Sequence, residues 1–175
     1  MAGRIVAFPP VAPPGARVLI LGSMPSVESL NQGFYYAHPR NAFWRIISEI
    51  LGEPLPGDIP EKVALLERHG IALWDALYSC EREGSLDSAI RLPQLNDFDA
   101  LFRRCPDIER VLFNGAAARD LFMRRGKRYL EGRSWARMPS TSPAYTLPYE
   151  RKLALWREGL SIVAGPEPPA PGIQL

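Results

Sequence analysis

Cysteine, histidine and lysine are all scarce in this chain of 175 residues, and each shortage removes a class of chemistry. The two cysteines, Cys80 and Cys105, lie far apart without a CxxC pair, so their spacing supports neither a zinc site nor an iron–sulfur cluster. With only two histidines, His38 and His69, and no G-x-S-x-G, a serine hydrolase triad has no basis. Long apolar runs are also missing. Pro9, Pro10, Pro13 and Pro14 break any signal-peptide helix at the start, and no later run is long enough to span a membrane. An excess of one charge is absent too: the net charge is +2, which carries no argument for a polyanionic partner.

What remains is a composition with 46% hydrophobic and 23% charged residues, that of a globular protein expected in the cytoplasm. Its size suits one domain. Residues 1–16 and 164–175 are proline-rich and aperiodic and read as extended or mobile ends, leaving 17–163 as the domain. Apolar runs at Val18–Leu21, Ile71–Leu77, Arg110–Gly115 and Ser134–Met138 predict four strands. Phe43, Ile46, Ile47, Ile50 and Leu51 keep the spacing of one buried helix face over 42–51. Further helices are expected from Pro60 to Gly70 behind Asp58, over 116–125, over 148–160 with Thr146 as a candidate cap, and as a short turn capped by Asn96. Strands alternating with helices predict an α/β fold, a three-layer α/β/α sandwich around a central four-stranded parallel sheet.

The densest block runs from Leu19 to Ile47. A strand leads into Gly22-Ser23-Met24-Pro25-Ser26, then a loop with Phe34, Tyr35 and Tyr36, then His38-Pro39-Arg40-Asn41 at the mouth of a helix. Backbone amides, aromatic faces and a neutral amide side chain are thereby gathered at a strand end, where open α/β sheets bind ligands. A flat, uncharged ring would suit such a crevice. The block resembles the first motif of the uracil-DNA glycosylase superfamily, whose mismatch-specific branch reads GINPG and then AHPxNxFW. The wording GSMPS and YYAHPRNAFW is most similar to the hypoxanthine-DNA glycosylase branch.

The resemblance implies roles position by position. Met24 stands where mismatch-specific relatives keep a catalytic Asn, and Met cannot orient a water. Asn41 then becomes the expected catalytic residue, with capping of the 42–51 helix as an alternative or concurrent role. Tyr36 falls where relatives stack an aromatic on the extruded base, and the amides of Ser23 and Met24 are suited to a departing base that carries negative charge. Asp75, at a strand end where uracil-specific relatives read the base with Asn, can accept a ring N–H but, as a carboxylate, cannot donate back. Its plain alternative is an ion pair with Arg82 or Arg91. Met138–Thr146 lies at the second motif, with Ser140 near the place of a His or Asn; Thr141, Ser142, Pro143, Ala144 and Tyr145 are expected to meet DNA, with Ala144 or Tyr145 as a wedge. A serine- and proline-rich surface turn is the alternative. His38 reads as structural and Asn114 as a strand-end turn.

From Arg124 to Arg137 there are six basic residues and one acidic one, and Arg133 and Arg137 are expected to touch phosphates unless the cluster is ordinary solvated surface. No metal or cofactor is implied. None of the three lysines, Lys62, Lys127 and Lys152, lies inside a motif, so a Schiff-base lyase mechanism is not expected. The expectation is a monomeric, monofunctional glycosylase acting on a deaminated base in double- or single-stranded DNA, hypoxanthine first. A uracil or G:U/T mismatch enzyme is the near alternative, and a catalytically weak nucleic-acid-binding module the distant one.

Overall fold

The structure is a computed structural model that describes residues 3–165. Its centre is a parallel sheet of β2 (Val18–Gly22), β3 (Ile71–Asp75), β6 (Arg110–Asn114) and β7 (Ser134–Met138), in the spatial order β3-β2-β6-β7. Every residue of β2 and β3 is buried, as expected for strands covered on both faces. On one face lie α2 (Phe43–Leu51) and α6 (Tyr149–Gly159), where Phe43 meets Trp156 edge to face. On the other lie α4 (Phe98–Arg104) and α5 (Ala116–Gly126), joined by Phe98 and Phe122. The expected three-layer α/β/α sandwich is the fold.

The helix behind Asp58 is α3 (Ile59–Arg68), whose first turn is capped by the Asp58 carboxylate accepting from the Glu61 amide at 2.9 Å. Other expectations need correction. The run Ile71–Leu77 is not one strand: β3 ends at Asp75, and β4 (Leu77–Glu81) belongs to a second, antiparallel sheet with β1 (Arg4–Val6) and β5 (Arg91–Leu95). The chain bends at Ala76 because its amide and that of Leu77 bond to the carbonyls of Gly22 and Ser23. Asn96 does not cap α4. It is buried and donates to the carbonyls of Asp75 and Leu77 at 2.8 and 3.0 Å, while Asp97 makes the cap.

Of the segment ahead of residue 17, the stretch around residues 8–11 is held in place rather than loose. Val11 bridges to Leu73, and the carbonyls of Phe8 and Pro9 accept from the Trp74 indole and the Tyr35 hydroxyl. Thr146 caps nothing: α6 starts behind Pro148 without a side-chain cap. A short helix, α1 (Val27–Gln32), occupies what the sequence presents as loop, opened by Ser26 and closed by Gly33 with φ of 78°. The final helix, α7 (Ser161–Ala164), closes the described chain, and the proline-rich tail from 166 lies outside the described residues.

Candidate active site

The crossovers diverge between β2 and β6, and a cleft of about 470 Å³ opens there at the carboxyl ends of the strands. That volume falls in the usual range for a small-molecule site. Gly22 closes β2 at its floor. A Cβ on Gly22 would stand 2.5 Å from Asp75 Oδ1 and 2.8 Å from the Tyr36 hydroxyl, so only glycine lets these two side chains close over the strand end. Tyr36 takes a left-handed backbone, φ 54°, and its ring stacks on Phe43 with centroids 4.1 Å apart. One face is thus occupied by the core while the residue still lines the cleft.

Asp75 is 3% exposed and pairs with neither Arg82 nor Arg91. Arg82 is buried and spends its guanidinium on the carbonyls of Gly84 and Pro25. Arg91 donates to the Ser88 and Ile90 carbonyls. Without an ion pair, burial dominates, and with the neighbouring Asp87 charge it pushes the Asp75 carboxyl up to about 7. Asp75 Oδ2 and the Tyr36 hydroxyl are the two buried side-chain polar atoms among the described residues that lack a hydrogen-bond partner. Burial and the nearby Asp75 also raise the Tyr36 phenol, which stays neutral. Burial of the Asp75 carboxyl therefore favours its acid form, which can donate as well as accept.

Asn41 sits on the opposite wall. Ala42 is the residue that caps α2, and Asn41 Oδ1 accepts from the Phe43 amide at 3.0 Å from one position earlier, bracing the helix entry while Asn41 also lines the cleft. The turn before it is internally braced: the Asn41 amide donates to the His38 carbonyl, and His38 Nδ1 accepts from the Arg40 amide at 3.1 Å. His38 thus has the structural bond expected of it. Ser23 and Met24 line the cleft as well, but Met24 is buried and packs with Leu77 and Cys80, an apolar setting that suits a thioether.

The second-motif loop is docked by hydrogen bonds from several elements. Asn114, at the end of β6, exchanges hydrogen bonds with Thr141, whose carbonyl accepts from the Ala42 amide at 3.0 Å. Lys152 on α6 donates to the Ser142 carbonyl at 3.1 Å from a buried position. Thr141 is 1% exposed and anchors the loop while bordering the cleft. Ser140, Ser142, Pro143 and Ala144 line the cleft, and Tyr145 stands exposed beyond it.

Arg133 and Arg137 separate. Arg133 donates to the carbonyls of Ile108 and Tyr129 and lies 4.0 Å over the Phe102 ring, next to the start of β7 and hence at the far end of the sheet. These contacts give Arg133 a structural role in the free protein. Helix α5 leaves the cleft end and runs back, carrying Arg124 and Arg125 to that far end. Arg137, one residue before the end of β7, is exposed on the cleft side.

Sequence reasoning missed Asp87, which accepts from the Ser23 hydroxyl at 2.6 Å, and Ser85, which accepts from the Val27 amide at 2.9 Å. Both lie on the excursion between β4 and β5 and line the cleft. Nothing local marks them; only the unforeseen second sheet brings them there. Asn114 had a visible signal, an amide at a strand end, read as a turn.

The likeness to known proteins agrees with this geometry. Two proteins named hypoxanthine DNA glycosylase are similar: one from Methanosarcina barkeri, 39% identical over 62% of this chain and 69% of its own length, and one from Methanosarcina acetivorans, 40% identical over 63% and 71%. The solution NMR structure of a candidate uracil DNA glycosylase from Methanosarcina acetivorans superposes with a TM-score of 0.79 at 30% identity, covering 92% of this chain and 99% of that one. Among the described residues no helix is long and apolar enough to cross a membrane. A family model described as the uracil DNA glycosylase superfamily matches residues 9–160, and the chain belongs to that superfamily.

Proposed function

We propose that this DNA glycosylase hydrolyses the N-glycosidic bond of hypoxanthine flipped from DNA into the cleft, as the first step of base excision repair by a monomer. The observation that carries the reading is the buried, unpartnered Asp75 carboxyl in a cleft that Asn41 also lines, a setting whose burial favours the neutral acid. Hypoxanthine presents a ring N–H beside a carbonyl oxygen. A neutral carboxyl accepts from the first and donates to the second, which a carboxylate could not do. The names of the two methanogen relatives point the same way.

In this reading Tyr36, braced by Phe43, offers its free face to the base. Asn41 braces the entry of α2 through one lone pair of Oδ1, and its second lone pair and the two Nδ2 hydrogens hold the attacking water. Asn is no general base at neutral pH. The sugar therefore becomes cationic ahead of attack, while the leaving base gathers negative charge toward the turn amides of Ser23 and Met24. The test is a panel of duplexes that each carry one hypoxanthine, uracil, xanthine or G:T site, scored for abasic-site formation. Release of hypoxanthine above the others is expected. Preferential release of uracil or thymine would move the protein to the mismatch class, and no release would leave a binding module.

A further inference from the structure

Beside the cleft runs a second groove of about 500 Å³ that shares Tyr36, His38 and Asn41 with it, so the His38–Asn41 turn is the wall between the two. The groove lies between the first turns of α2 and α3 and is lined by Arg40, Arg45 and Lys62 with no carboxylate among its lining residues. None of these three cations has an acidic side chain within ion-pair distance among the described residues. Arg45 instead stacks its guanidinium 3.7 Å from the Tyr149 ring centroid, and the Lys62 ammonium stands 5.4 Å from that of Trp44. Aromatic faces position a cation without neutralising it. Burial also lowers the Lys62 ammonium from its ordinary range, a cost that an arriving anion would offset.

We propose that this groove binds the sugar–phosphate backbone of the strand carrying the target nucleotide, with Arg40, Arg45 and Lys62 as its phosphate contacts. The proposal rests on the DNA glycosylase reading and deepens it by naming where the backbone lies. Continuity selects this occupant. A nucleotide seated in the cleft keeps its two flanking phosphates within a few ångströms of the cleft rim, and the rim at Asn41 is the groove's own wall. The basic cluster at 124–133 cannot serve the same nucleotide, because α5 carries it to the opposite end of the sheet. Exposed Leu55 and half-buried Pro56 complete the groove with an apolar strip that suits deoxyribose.

The experiment compares affinity for a hypoxanthine-containing duplex across a range of salt concentrations in three full-length proteins. These are wild type, the triple variant Arg40→Ala/Arg45→Ala/Lys62→Ala, and the charge-matched control Arg124→Ala/Arg125→Ala/Lys127→Ala. The slope of log affinity against log salt is expected to fall by about 0.9 for each phosphate that the groove variant no longer neutralises, and to stay at the wild-type value in the control. Arg40→Lys/Arg45→Lys, which keeps both charges and guards against misfolding of the triple variant, should retain the slope. Equal slopes in the groove variant and wild type, or equal falls in groove variant and control, would overturn the groove. Weakened binding of free inorganic phosphate with unchanged duplex binding would also overturn it, by making the site one for a small anion. Base release by wild type is scored separately. Its absence would sink the glycosylase reading, while the slopes would still report where DNA lies.

Discussion

Asn114 and Thr141 exchange two hydrogen bonds, Asn114 Nδ2 to Thr141 Oγ1 and the Thr141 amide to Asn114 Oδ1, both 3.0 Å long. The pair fastens the second-motif loop to the end of the central strand β6. Asn114→Ala leaves a buried amide and hydroxyl without partners and should cost about 2–3 kcal/mol of stability, read by denaturant unfolding. Base release should fall along with it. Asn114→Asp keeps the acceptor and loses the donor, so it is expected to recover part of the stability. Equal stability of wild type and Asn114→Ala would show that the loop is held by its other contacts, the Ala42 amide, Lys152 and the Trp156 indole.

Asn41 has two separable duties, and substitution can divide them. Asn41→Ala should lose about 1 kcal/mol of stability with its bond to the helix entry and roughly 10²-fold or more in single-turnover base release. Asn41→Ser keeps a side-chain oxygen at the helix entry but is too short to hold a water in the same place. It should fold like wild type and remain slow. A Ser variant with wild-type rate would confine Asn41 to bracing the helix entry.

Much of this architecture was legible because buried parallel strands are near-continuous apolar runs and α2 keeps one apolar face, so Val18–Leu21 and Phe43–Leu51 announce themselves. The bend at Ala76 was not, since both sides of it are apolar and its cause lies in carbonyls more than fifty residues earlier in sequence. Edge strands β1 and β5 are largely exposed, β1 is only three residues long, and β5 lacks alternation and contains Pro93. With that sheet went Asp87 and the arrangement that isolates Asp75 from Arg82. Tyr36, Asn41 and the turn at Ser23 were legible through family likeness. The protonation of Asp75 was not, because it depends on burial and on which cations are already engaged.

Asp75 carries a pH-dependent cost with a definite sign. Its folded pKa of about 7 exceeds the ordinary 3.8, so the native state holds the proton more tightly than the unfolded chain. The cost is absent below about pH 4, grows as pH rises from there to about 7, and is constant above. Asp75→Asn, which has no charge to bury, should therefore be more stable than wild type at pH 8 by on the order of 4 kcal/mol. The advantage should shrink through neutrality and vanish near pH 4. Thermal melts of both proteins across that range check it, and a pH-independent difference would mean that Asp75 ionises as an ordinary surface acid.

Tyr36 should be sensitive to its ring and tolerant of losing its hydroxyl in the free protein. The hydroxyl is buried without a partner, so Tyr36→Phe is expected to keep or raise stability by about 1 kcal/mol. Tyr36→Ala strips the stack from Phe43 and should cost about 3–5 kcal/mol. It should also weaken binding of lesion DNA by about 1–3 kcal/mol, a loss that Phe largely avoids. Equal losses of DNA binding in both variants would assign the contact to the hydroxyl.

Arg133 and Arg137, alike in sequence context, should behave as opposites. Arg133 satisfies two backbone carbonyls and covers Phe102, so Arg133→Ala should lower stability by about 1–3 kcal/mol and leave the salt slope of DNA binding unchanged. Arg137 is exposed on β7 near the cleft end and makes no such bonds. Arg137→Ala should fold normally and flatten the slope by about one unit if a phosphate lies over it. Tyr145, exposed beyond the cleft and 5.4 Å from the buried Lys152 ammonium, supplies a different readout. As a wedge it would act only where a base stack must be opened, so Tyr145→Ala should weaken lesion duplex more than the same single strand, without altering the salt slope. Equal weakening on both substrates would make Tyr145 a general contact and leave Ala144, at the cleft edge, as the residue that fills the gap.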